Sequence, residues 1–438
     1  MLTTLKNAFK IKEIRQKILF TLGMLVVIRI GSQLPVPGVD TKFFSQWFAQ
    51  QTGGAFSFFD AITGGSFLNM SILALNINPY ITSSIIMQLL TIAIPKLEEM
   101  QRDGEDGRKK MVAITRYVTV ALALIQSTAM AIGFGRQGYL IEFNALNVIT
   151  TITALTAGSA FLMWVGERIT EKGIGNGISI VLVINIISRL PQDLSNLFEQ
   201  FVFGKAPATA ILAVVIIFAI IIAMVVLVII LNDGVRKIPV QYAKKMQGRK
   251  MVGGQTSNIP LKVNTSGVIP IIFAQSIMQF PIIICSFIGY NGTGVWAEIL
   301  KGLNSGYWCK PSQPIYSLGL LLYIVLIVFF AYFYTSITFN PLEVANNIKK
   351  QGGFIPGIRP GKPTSDYLNS ILNYIVFIGA CGLIIVSIVP IIVSGLFSIS
   401  RLSFMGTSLI IIVGVVLETI KSIESQMLVR NYKGFLND

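Results

Sequence analysis

The chain contains no histidine, and it has only three cysteines, Cys285, Cys309 and Cys381, in 438 residues. The cysteines lie far apart with no CxxC spacing, and without histidine the usual zinc and general-base sites lose their commonest ligand. Neither a disulfide framework nor a metal site is expected, and no cofactor is implied. Charge is scarce too. Only 13% of residues are Asp, Glu, Lys or Arg, where a soluble domain has about one quarter. What fills the chain instead is apolar: 53% hydrophobic residues and a mean hydropathy of +0.70. This excludes an ordinary soluble domain and points to a polytopic membrane protein.

A bilayer crossing needs about 20 apolar residues. Ten runs qualify as spans: Ile18 to Leu34, Met70 to Ile94, Val112 to Phe134, Val148 to Trp164, Gly177 to Leu190, Ala208 to Leu231, Gly267 to Gly289, Ile315 to Thr338, Ile371 to Val393 and Ser403 to Ile420. The fifth is short. Its 14 residues cover about 21 Å of a roughly 30 Å core, so it is expected to be tilted, extended by its flanks or, in preference, buried among other helices. With ten crossings and the N-terminus inside, the outside loops hold only Lys42, Arg136, Arg189, Lys205, Lys301, Lys310 and Arg401 of the 35 basic residues. The positive-inside rule then places both termini in the cytoplasm. The first span follows "KNAFKIKEIRQK" but lacks a small-residue cleavage site, so it reads as a retained helix.

Polar residues interrupt the apolar runs at definite places. "NINPYITSS", Asn76 to Ser84, carries a proline, two asparagines and three Ser/Thr hydroxyls inside the second span, which is costly in lipid and suggests a wet surface. "PYITSSI" from Pro79 and "PIIFAQSI" from Pro270 form a faint repeat five spans apart. An odd offset reverses the crossing, which is the pattern of two inverted halves with the path between them. Before the second span, "AFSFFDAITGGSFLN", Ala55 to Asn69, is either an interfacial segment on the headgroups or a short helix folded back as a movable stopper. Inside the spans there is little charge beyond Arg29 and Glu418, so a proton or sodium relay has no obvious residues to run through.

Three connections are also informative. "WVGERITEKGIGNGIS", Trp164 to Ser179, places Gly173, Gly175 and Gly177 where positive φ permits a tight turn. It lacks the Walker lysine and does not fit GxGxxG, which argues against nucleotide binding. Asp233 to Asn264 is strongly basic, and Asn340 to Tyr367 contains "GGFIPGIRPGKP" around Arg359. Such loops either satisfy the inside rule beside anionic lipid or dock RNA or an acidic surface, and their length and Pro/Gly content favour docking.

Several strings together resemble the SecY/Sec61 α family of protein-conducting channels in its bacterial form. They are "RIGSQLPVPGVD", "SILALNINPYITSSIIMQLL", "WVGERITEKGIGNGIS", "YAKKMQGRK", "IPLKVN", "GVIP" and "FNPLEVANNIKKQGGFIPGIRPG", in family order from about Ile18 to the last span. The resemblance implies an all-α fold of ten transmembrane helices in two inverted five-helix halves, residues 1–190 and 191–438, hinged as a clam-shell around a central pore. It implies a pore ring of Ile77, Ile81, Ile178, Leu182, Ile272 and Ile411, whose aliphatic side chains obstruct ions by dewetting. A plug over residues 55–69 would include Phe58, Phe59, Asp60, Ala61, Ile62, Gly64, Gly65 and Phe67. A lateral gate would involve Asn78, Ser83, Gln88 and Gln275, with Asn76 and Ser83 facing the funnel or the gate. Lys244, Lys245, Arg249, Lys250 and Arg359, in loops 233–264 and 340–367, would dock the SecA ATPase and the ribosome. The implied partners are SecE-type and SecG-type subunits, SecA, the ribosome, an unfolded preprotein or signal sequence, and lipid. The chain has no ATPase motif and reads as a channel subunit of the plasma membrane rather than an enzyme. An accessory channel for dedicated clients and, further off, a secondary transporter are the alternatives. Asn76 departs from the glycine that many relatives carry.

Overall fold

A computed structural model of the chain describes residues 8–41, 44, 63–136, 138, 140–203, 207–242, 245–247, 250–252, 256–288, 294–310, 313–397 and 407–434. The first half contributes α1 (Lys12–Gly31), α2 (Asn78–Ala93), α3 (Pro95–Arg102), α4 (Gly104–Arg136), α5 (Ala145–Lys172) and α6 (Gly177–Phe201). There follow α7 (Pro207–Asp233), the strands β1 (Val235–Tyr242), β2 (Lys245–Gln247), β3 (Lys250–Val252) and β4 (Thr256–Lys262), then α8 (Ile269–Ile288) and α9 (Val295–Leu303). The chain continues with α10 (Leu318–Thr338), α11 (Pro341–Lys350), β5 (Gly353–Phe354), α12 (Lys362–Phe397) and α13 (Thr407–Gly434).

Every expected span overlaps a helix, but length and apolarity alone mark only some of them as membrane spans. Among the described residues, six helices pass that test, and the bent pair α2–α3 is a seventh candidate. The second arm is bent by 106° from the first. The break falls where Pro95 forces Ile94 out of the helical region, to φ −117 and ψ 107. α1 and α13 fall short because charged residues, such as Arg15, Lys17 and Arg29 or Glu418, Lys421 and Glu424, enter their windows. α7 has the opposite character. Ile211, Leu212, Val215, Phe218, Ile222 and Ile230 are all exposed on it, an apolar surface that only lipid or another chain covers without cost.

The short fifth span gains its length from its C-terminal flank. α6 continues through Pro191 to Phe201 for 25 residues, about 38 Å of helix, so residue 190 lies within a helix rather than at its end. Arg189, counted by sequence with the outside loops, and Asp193 lie within this helix at 7% and 1% exposure. Its extension packs Leu197 among Ile217, Ile220 and Ile221 of α7 and Val393 of α12.

The chain is mostly helical, and among the described residues it departs from an all-α fold in a three-stranded sheet and the two-stranded β2–β3 hairpin. β1 pairs antiparallel with β4, Ile238 opposite Ile259, and with β5, Gln241 opposite Phe354, giving the sheet order β4-β1-β5. The two long basic connections are therefore one module. Ile238, Val240 and Leu261 bury one face against Ile348 of α11, Ile355 and the first turns of α12 at Leu368, Ile371, Leu372 and Ile375. Outward positions such as Lys237, Pro239 and Lys262 stay exposed, the period-2 alternation of a half-buried sheet.

Candidate functional site

The chain between residue 63 and α2 is irregular although it is deeply buried. Thr63, Ser66, Ser71 and Asn76 are each at most 3% exposed. Backbone bonds tie the segment to the end of α1: Val36 N–H donates to Met70 O and Ile72 N–H to Leu34 O, each at 2.9 Å. Gly64, Gly65, Met70 and Asn76 all adopt positive φ, so the backbone turns repeatedly before a helix can start. The helix begins at Asn78 because Pro79, in its first turn, needs no N–H partner and has its φ preset.

Asn76 is held at φ 53 by two neighbours. Asn185 Nδ2 of α6 donates to its Oδ1 at 3.0 Å, and Ser159 Oγ of α5 donates to its carbonyl at 3.1 Å. Its side chain is thus turned into the packing between α5 and α6. Four of the expected ring residues meet in one apolar cluster: Ile77, fully buried, with Ile81, Ile178 and Leu182, backed by Leu73, Leu162 and Val181. Leu182 also belongs to a second cluster with Val183, Ile186, Val268 and Ile411, which reaches α13. Ile272, half-buried on α8, is in neither cluster.

Of the expected plug, Phe58, Phe59, Asp60, Ala61 and Ile62 lie outside the described residues. Phe67 is buried in a trio of edge-on rings, 5.7 Å from Phe44 and 6.3 Å from Phe134 by centroid. The Gly64 carbonyl lies 3.4 Å from Arg29 Nη1 and 3.3 Å from Ser188 Oγ. Among the expected gate residues, Asn78 is half-buried at the first position of α2. Ser83 is fully buried, and its hydroxyl donates to Thr115 O of α4 at 2.8 Å, so it fastens α2 to α4. Gln88 is exposed and its Oε1 lies 3.5 Å from Tyr334 Oη, a bond from α2 to α10. Gln275 lines a cavity of ≈ 60 Å³ with Gln279, Asn304, Trp308 and Tyr323, and its buried Oε1 has no hydrogen-bond partner among the described residues.

Lys244 and Arg249 of the expected docking set lie outside the described residues. Lys245 and Lys250 sit on the β2–β3 hairpin, opposite Val252 and Gln247. Arg359 is exposed in the loop after β5, which is fixed by Thr364 Oγ1 donating to the Arg359 carbonyl at 2.8 Å. In the turn between α5 and α6, only Gly175 of the three glycines has positive φ. A Cβ on Gly177 would lie 2.0 Å from the Gly166 carbonyl, so that glycine serves a close approach. Asn176 caps α6 through the N–H groups of Ile178 and Ser179.

A sequence model of the SecY family matches residues 71–420. The protein translocase subunit SecY of Streptomyces galbus is 44% identical over 457 residues, with all of both chains covered. The chain belongs to the SecY family. Among solved structures it is similar to a protein conducting channel, with a TM-score of 0.63 at 18% identity over 97% of each chain. It is likewise similar to Sec61 of the canine ribosome-channel complex from the endoplasmic reticulum, with a TM-score of 0.61 at 17% identity over 97% of each chain. At such identities the two likenesses speak for the fold. As a SecY-family member the chain is a multi-pass protein of the bacterial plasma membrane and a channel subunit, not an enzyme.

Sequence reasoning missed Asn185 and Ser188, which meet the segment before α2 from α6. The signal was present in "INIISRLPQD", where Asn185, Ser188 and Arg189 recur at helical spacing on one face of an apolar run. The sheet was also legible in principle, since "VRKIPVQY" and "TSNIPLK" carry apolar residues at alternate positions.

Proposed function

We propose that this chain is the central pore-forming subunit of a Sec translocase, which conducts unfolded secretory proteins across the plasma membrane and releases apolar segments sideways into lipid. Ten helices, α1, α2, α4 to α8, α10, α12 and α13, form two inverted halves with both termini in the cytoplasm. Ile77, Ile81, Ile178, Leu182, Ile272 and Ile411 form the constriction, the segment ending at Asn69 is the plug, and α2 and α8 flank the lateral gate.

The observation that carries this reading is the aliphatic clustering of Ile77, Ile81, Ile178 and Leu182, with Leu182 in turn packed near Ile411 of the last helix. Side chains of this kind cannot replace an ion's hydration shell, yet they deform around a passing chain. Replacing Ile81 with Asn is expected to raise ion leak through the resting channel in planar bilayers, and unchanged conductance would argue against the ring.

The driving force comes from outside the chain, from SecA or the ribosome docked on the sheet module, with SecE-type and SecG-type subunits completing the complex. The exposure of Arg359 on a loop pinned by Thr364 supports that role. The test is protease protection of a secretory precursor in proteoliposomes holding the assembled complex and cognate SecA. Protection that requires ATP and is lost in Arg359→Glu, with assembly intact, is the expected result. Persistent failure of the unsubstituted complex to protect, with an active motor, would favour an accessory channel with dedicated clients.

A further inference from the structure

A continuous set of contacts leads from the end of the plug segment to the constriction, and Asn185 stands in the middle of it. Gly64 packs directly on the backbone of α6: a Cβ there would lie 2.4 Å from the Asn185 carbonyl oxygen and 2.8 Å from its Cα. The Ser188 hydroxyl donates to the Asn185 carbonyl at 2.6 Å and lies 3.3 Å from the Gly64 carbonyl, which Arg29 Nη1 also approaches. On its other side, Asn185 donates to Asn76 Oδ1. Asn76 is a non-glycine residue at φ 53 and is followed directly by Ile77, the fully buried member of the aliphatic cluster.

The chemistry at both ends makes this a lever rather than a packing contact. An L-residue in the left-handed region stays there only while its surroundings hold it, and asparagine does so by hydrogen bonding through its side chain. Asn185 is 2% exposed, and its Oδ1 has no hydrogen-bond partner among the described residues, so the bond to Asn76 is its one satisfied amide contact there. Moving Gly64 off α6 removes what presses on the Asn185 backbone. Losing the Asn185 amide removes the side-chain bond that helps hold Asn76 at positive φ, and a shift of Asn76 would carry with it the chain entering α2 and Ile77.

We infer that Asn185 is a positioning residue that couples the seating of the plug segment at Gly64 to the constriction at Ile77, acting through the backbone conformation of Asn76. The inference rests on the plug and ring roles proposed above. Coupling of this kind means that a client displacing the plug also loosens the ring, so seal and path open together.

The experiment measures resting ion conductance of the assembled complex in planar bilayers for Asn185→Leu, Asn76→Gly, the double variant and Ile81→Asn. Leucine removes the amide donor while keeping the same branched heavy-atom skeleton, and glycine adopts positive φ without the penalty a side chain brings. Asn185→Leu is expected to leak about tenfold more than the parent, as loss of one buried hydrogen bond would allow. Asn76→Gly should stay sealed, and the double variant should return to the parent's conductance. That rescue is a readout that a merely space-filling Asn185 would not produce. A sealed Asn185→Leu channel, or a double variant as leaky as Asn185→Leu, overturns the coupling provided Ile81→Asn leaks. A sealed Ile81→Asn channel overturns the ring and the coupling together. Should Asn185→Leu fail to assemble, Gly64→Ala approaches from the plug side by displacing the Asn185 carbonyl, and a sealed Gly64→Ala channel overturns the coupling.

Discussion

At Pro79 and at Pro270 the chain starts a helix by the same local geometry, with different residues at the decisive position. α2 and α8 each begin one residue before the proline, at Asn78 and Ile269, and in each the residue three before the proline is left-handed, Asn76 at φ 53 and Gly267 at φ 62. The following residues also correspond, Ile77 with Val268 and Ile81 with Ile272. Matched interruptions five spans apart support two inverted halves. Gly267 reaches its conformation without a Cβ penalty, and the space where a Cβ would sit is open. Asn76 needs Asn185 and Ser159 to hold it. α8 therefore has its start set by backbone freedom, and α2 by a tertiary hydrogen bond.

The largest test of that contrast is Asn76→Val. A β-branched residue at positive φ adds strain and leaves the Asn185 donor buried without its acceptor. The substitution should cost about 3 kcal/mol of stability, read as a lowered midpoint of thermal unfolding of the detergent-solubilised complex. Gly267→Ala comes next. It meets no neighbour within 4 Å, so only the left-handed backbone penalty of about 1 kcal/mol applies, and a loss as large as that of Asn76→Val would break the comparison. The smallest effect belongs to Asn76→Gly, where relief of backbone strain offsets the lost hydrogen bond to within about 0.5 kcal/mol. A loss of stability in Asn76→Gly close to that of Asn76→Val would mean that the side chain of Asn76 does more than hold its own backbone.

Much of the candidate site could be read one residue at a time. Proline and asparagine in an apolar run announced an interrupted helix at 76–79, and four of the six residues expected to form the ring come together in one cluster. Other features were not legible that way. Gly173 and Gly177 looked like turn residues, but only Gly175 uses positive φ, because a glycine needed for close approach has the same local signature as one needed for a turn. Arg189 was counted with the outside loops because it stands at the edge of the apolar run, whereas the helix itself continues through Pro191 to Phe201. Nothing in the sequence announced that the hydroxyl of Ser83, expected to face the funnel or the gate, bonds to the carbonyl of Thr115 thirty-two residues away.

The sequence by itself determined the membrane class, the places where apolar helices run and break, the two basic connections and the family, since hydropathy, proline and motif order are properties of consecutive residues. Only the tertiary structure decided that the two connections share one sheet, that α6 borrows its length from beyond residue 190, and that Asn185 reaches back over 109 residues to hold Asn76. Those pairings rest on which surfaces meet once the helices pack, and a single chain of residue types carries no record of its distant partners.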